Sequence, residues 1–64
     1  MNEKDITVKF IYNTDIIKVT DLSWKEVDLI RDLESVCIND VVYEVDEVEV
    51  HIDGQGSYLV FFLC

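Results

Sequence analysis

The spacing of apolar residues changes period several times along the chain, and each change marks an element. Ile6, Val8, Phe10 and Tyr12 alternate with Thr7, Lys9, Ile11 and Asn13. A period of two is the mark of a strand with one mostly buried face. Asn13–Asp15 offers turn chemistry, and Ile16–Thr20 reads as a returning strand. The segment Ile6–Thr20 is therefore expected to form a hairpin.

The period then lengthens. Val27, Ile30 and Leu33, with Leu29 beside them, form an apolar stripe at helical spacing, and Lys25, Glu26, Asp28, Arg31 and Asp32 take the opposite side. Ser23 followed three residues later by Glu26 is a capping box, and Leu22 and Val27 occupy the two positions of a hydrophobic staple. These signals predict a helix from about Trp24 to Leu33.

Val36–Ile38 is short and apolar, and Asn39-Asp40 suits a tight hairpin turn. In the strand that follows, the phase slips. Val41, Tyr43 and Val45 are apolar at odd positions, whereas Val48, Val50 and Ile52 are apolar at even ones. One face can hold both sets only if an extra residue intervenes, so a bulge or sharp bend is expected at Asp46-Glu47. Asp53-Gly54-Gln55-Gly56 contains both glycines of the chain and supplies residues that accept positive φ for a short loop. The last strand, Tyr58–Cys64, is apolar at every position, which suits a central strand covered on both sides. One short helix covers one face of a small sheet. The other face is left to sheet curvature, to the bent strand or to another chain.

The expected fold is α+β in one domain, residues 1–64. It consists of an N-terminal hairpin, one helix and a C-terminal three-strand antiparallel meander with a bent strand, the small antiparallel sheet packing on the helix.

A chain of 64 residues buries only about 60% of the surface its unfolded form exposes. Half of it is apolar and 30% charged, a globular rather than a disordered composition. The two cysteines, Cys37 and Cys64, are too few for a secreted disulfide scaffold. Cys37 is expected to be a small buried apolar residue, and Cys64 to fray. The N-terminus lacks the basic and apolar regions of a signal peptide, and no apolar run approaches the roughly 20 residues of a membrane helix. A cytoplasmic protein with reduced thiols is expected.

Charge changes the picture most. The net charge is −9, and residues 1–31 carry six acidic residues against five basic ones, a balance of −1. Residues 32–64 carry eight acidic residues and no Lys or Arg, a balance of −8. Such a field repels nucleic acid and acidic membranes and attracts basic surfaces. Glu44, Asp46, Glu47, Glu49 and Asp53 lie on one strand, where side chains two apart stand roughly 6.6 Å from each other. Adjacent like charges cost stability, so this row either meets a basic partner or keeps an apolar protein in solution.

Catalytic chemistry has little to stand on. There is one His, no Gly-rich phosphate loop and no nucleophile motif, and no spacing supports pairing His51 with Cys37 or Cys64. Glu49, His51 and Asp53 alternate along one strand and offer metal-ligating atoms, but a flat strand face lacks the enclosure of a tight site. No catalytic residue, metal or cofactor is expected.

In small size, acidity and strand–helix–strand layout the chain resembles phage-encoded inhibitor proteins that neutralise host enzymes, including anti-CRISPR, anti-defence and DNA-mimic inhibitors. The resemblance implies a non-enzymatic protein in the cytoplasm of a bacterial host. It would occupy a basic nucleic-acid channel, or another positive patch, on a bacterial protein, with the five carboxylates of Glu44, Asp46, Glu47, Glu49 and Asp53 in the place of phosphates. The rival expectation is a structural or assembly subunit, such as a homodimer, that pairs through the apolar last strand. That subunit would use Tyr58, Val60 and Phe62, or the alternate face Leu59, Phe61 and Leu63. Direct nucleic-acid binding and membrane association are expected in neither case.

Overall fold

The computed structural model describes residues 5–64. Five strands and one helix follow in the order β1 (Ile6–Tyr12), β2 (Asp15–Leu22), α1 (Trp24–Leu33), β3 (Ser35–Ile38), β4 (Val41–Asp53) and β5 (Gly56–Leu63). The strands form one sheet in the spatial order β2-β1-β5-β4-β3.

Local chemistry sets each boundary. The β1–β2 hairpin turns at Asn13 and Thr14, and the β3–β4 hairpin at Asn39 and Asp40, all four at positive φ. Two consecutive residues of that kind make the turn whose twist matches the flanking strands. At the β4–β5 turn Asp53 pairs with Gly56, and only Gly56 uses the glycine freedom, at φ 142°. The helix starts as its sequence predicts. Glu26 N–H donates to Ser23 Oγ at 3.2 Å, and Ser23 N–H donates to Glu26 Oε1 at 3.0 Å. It ends at Glu34, which is left-handed at φ 57° and donates its N–H to Ile30 O at 2.8 Å.

The expected C-terminal meander β3-β4-β5 is present and antiparallel, but the sheet as a whole is mixed, which corrects the expected all-antiparallel sheet. β4 pairs antiparallel with β3 and β5, but β5 inserts between β4 and β1 and runs parallel to β1, with Val8 opposite Leu59 and Phe10 opposite Phe61. The most apolar strand takes the centre, where both its neighbours shield it. The outermost strands, β2 and β3, line one cleft together with α1, so the sheet is curled around the helix. The concave face holds the core: Ile6, Val8, Phe10, Leu59, Phe61 and Leu63 from β1 and β5, Ile38 from β3 and Val27 from the helix. The Phe10 and Phe61 rings lie 5.3 Å apart, and Tyr12 and Tyr43 meet at 5.0 Å across the end of β5.

The expected bulge is present. Val45 pairs with Leu63 and Glu47 with Phe62, leaving Asp46 as the extra residue. Tyr43, Val45 and Val48 thereby all pack against the core. Without the bulge, regular alternation from Val45 would turn Val48 outward and Glu47 and Glu49 inward. Just before the bulge, Val45 N–H donates to Glu34 O at 2.9 Å, which ties the helix end to β4.

Three burial expectations are corrected. Leu29 and Leu33 are 57% and 62% exposed, because the sheet covers only the side of the helix that carries Val27, with Ile30 partly covered. Cys37 is exposed because it pairs with Val42 on the outward side of an edge hairpin, opposite in phase to Val36 and Ile38. Cys64 does not fray at its backbone: its N–H donates to Glu44 O at 2.9 Å.

Candidate functional site: the uncovered sheet face

Strand alternation sends every second side chain to the convex face, and no element of the described residues covers that face. Directly opposed residues share a face, so the registers define its columns. From β4 come Glu44, Glu47, Glu49, His51 and Asp53. From β5 come Phe62, Val60 and Tyr58, facing Glu47, Glu49 and His51 respectively. From β1 come Ile11, Lys9 and Thr7, and from β2 Ile16, Val19 and Asp21.

The two surfaces that sequence offered as rivals are therefore adjacent columns of one face. The acidic row of β4 runs beside the apolar row of β5. Leu59, Phe61 and Leu63 point the other way, into the core, which removes them as an interface. Of the five acidic residues, Glu44, Glu47, Glu49 and Asp53 stand on the convex face, and Asp46 occupies the bulge. All five are exposed. Lys and Arg are missing from their strand and its neighbours β3 and β5.

The lower part of the face is internally organised. His51 Nε2–H donates to Glu49 Oε1 at 3.0 Å, and its ring stacks on Tyr58 at 5.1 Å with 15° between planes. Lys9 Nζ sits 4.2 Å from the centroid of the same Tyr58 ring, a cation–π contact. Thr7 Oγ1 donates to Asp21 at 3.0 Å. Two acidic residues thus have local duties. Glu49 engages His51, and Asp53 Oδ1 accepts the Gln55 N–H at 2.8 Å to brace the turn. Glu44 and Glu47 remain without a side-chain partner among the described contacts.

Val60 is only 3% exposed although it faces outward. Its register neighbours are Lys9 and Glu49, and a long side chain such as Lys9 can shelter an apolar neighbour with its methylene stem. Sequence reasoning missed this group of Lys9, Tyr58, His51 and Glu49. The β4 alternation flagged Glu49 and His51, but nothing local indicated that β1 would bring Lys9 to the far side of Tyr58.

The Glu49–His51–Asp53 set does not converge on a common point, since His51 is turned to Glu49 and Tyr58 and Asp53 to its own loop. Among the described residues no group of three or more metal-ligating side chains is gathered. His51 and the cysteines are far apart: Cys64 pairs with Glu44, seven residues along β4 from His51, a separation of roughly 20 Å. No helix is long and apolar enough to cross a membrane among the described residues. No family model, curated protein or solved structure matches the chain.

Proposed function

We propose that this protein is a non-enzymatic binding protein that inhibits or regulates a basic host protein, one that binds nucleic acid, through the acidic convex surface of β4. One observation carries the reading: Glu44, Glu47, Glu49 and Asp53 share one uncovered face of a stiff strand. Two of these carboxylates have no side-chain partner among the described residues to account for their placement. Carboxylates held at strand spacing raise the local potential and steer a basic partner into encounter. The cytoplasm of a bacterial host is the setting the reading implies.

Capture of basic proteins from a bacterial lysate on the tagged chain tests this. Binding is expected at low salt, with loss at several hundred millimolar salt, where the Debye length falls to a few ångström. The double variant Glu47→Lys/Glu49→Lys is expected to capture none of the same partner. Capture indifferent to both salt and charge reversal ends the electrostatic reading. It would favour assembly through Tyr58, Val60 and Phe62, a weaker candidate because Val60 is already covered within one chain.

A further inference from the structure

The outer edge of β4 is open over most of its length. β3 pairs only with Val41–Glu44, and the Val45 N–H is taken by Glu34 O. From Asp46 to Asp53 no strand among the described residues lies on that side. Along such an edge, backbone donors and acceptors alternate without partners and form a template for a further strand.

The two faces flanking this edge differ sharply. On the concave side Val50 and Ile52 are 64% and 80% exposed, and Trp24 at the start of the helix is half exposed. Trp24, Val27, Arg31, Val48, Val50 and Leu59 line a groove of about 210 Å³ there. On the convex side stand Glu47, Glu49 and Asp53. A strand laid on the edge would send alternate side chains to these two environments.

We propose that the Asp46–Asp53 edge of β4 receives an extended partner segment in which apolar residues alternate with Lys or Arg. The apolar residues extend the concave core over Trp24, Val50 and Ile52, and the basic residues face the carboxylates. Main-chain hydrogen bonds supply affinity in this mode and the alternating side chains supply specificity. The proposal rests on the acidic-surface reading and adds how the partner is held. A second copy of this chain is a poor occupant, because β4 against β4 sets carboxylates opposite carboxylates. Of the other open edges, β2 carries Lys18 near its middle and no comparable acidic row, and β3 is four residues long with no acidic side chain.

The test uses the full chain and a synthetic peptide of about eight residues, a typical strand length, alternating valine and lysine. Its control is the same peptide with every backbone amide N-methylated, which keeps side chains and charge but removes the donors. The expected result is a saturable change in the fluorescence of Trp24, the only Trp. Amide exchange should slow at the outward-facing positions of Asp46–Asp53, and the methylated control should bind at least tenfold more weakly. Ile52→Thr, at a site that contributes nothing to the core, should lower affinity several-fold. Equal, salt-sensitive binding of both peptides with no new amide protection overturns edge pairing while leaving the acidic-surface reading standing. Failure of both peptides to bind at low salt overturns both. A dimeric mass in sedimentation, with β4 edge amides protected before any peptide is added, assigns the edge to a second copy and overturns the proposal.

Discussion

The two faces of β5 carry equally apolar side chains and are buried by different means. On the concave side Leu59, Phe61 and Leu63 lie under the helix, and Phe61 is wholly inaccessible, packed on Phe10. On the convex side Tyr58, Val60 and Phe62 have no second layer above them among the described residues. Val60 is nonetheless nearly as inaccessible, with Lys9 and Glu49 beside it in register and the stacked Tyr58 and His51 rings next along the same face. Low exposure therefore does not mean the same thing on both sides. Concave burial is interlocked with the fold, whereas convex burial depends on long side chains that can rearrange, and so leaves that face free for another task.

The sharpest way to break this comparison is to truncate both faces of the same strand. Phe61→Ala is expected to cost about 3–5 kcal/mol. A domain of this size has little more stability than that to lose, so the cooperative unfolding transition should vanish in a circular-dichroism melt. Val60→Ala is expected to cost only about 1–2 kcal/mol, the transfer term for its methyl groups with little cavity added, because Lys9 and Glu49 can close over the gap. Equal losses at the two sites would mean that the convex cover is as rigid as the core.

Smaller changes sharpen the contrast from the helix side. Ser23→Ala removes the acceptor for the Glu26 N–H and is expected to lower stability by about 1 kcal/mol. It loosens the element that makes one face concave and leaves the other untouched, so denaturant midpoints should fall while salt-sensitive binding persists. Glu34→Gly is the smallest effect and has the opposite sign. Glu34 holds a left-handed conformation that glycine adopts without a Cβ penalty, so the variant should be more stable by about 0.5–1 kcal/mol. Its binding should again be unaltered, measured beside the wild type in urea.

Much of this architecture was legible in short stretches of chain. The capping box fixed the helix start at Ser23, and the phase slip between Val45 and Val48 located the bulge, because a strand's alternation is a strict geometric constraint. The Asn-Thr and Asn-Asp turns announced both tight hairpins. The exposure of Leu29, Leu33 and Cys37 was not legible in the same way, since period alone says which residues share a side but not how much of that side a neighbour reaches. The carboxylates of the candidate site could be named from the sequence. Their position beside the Tyr58–Val60–Phe62 column could not.

What the chain determines by itself is local: turn, cap, bulge and the alternation that places carboxylates and valines on opposite sides of β4. These rest on backbone geometry and interactions within a few residues. Tertiary structure decided that β5 would lie between β4 and β1, parallel to β1, a pairing between segments some fifty residues apart for which no local signal exists. That choice brought Lys9 to Tyr58, turned Phe61 inward and Val60 outward, and left the edge of β4 open. The physical reason is that strand order is chosen by which arrangement buries the most apolar surface around the helix, a property of the assembled sheet rather than of any one strand.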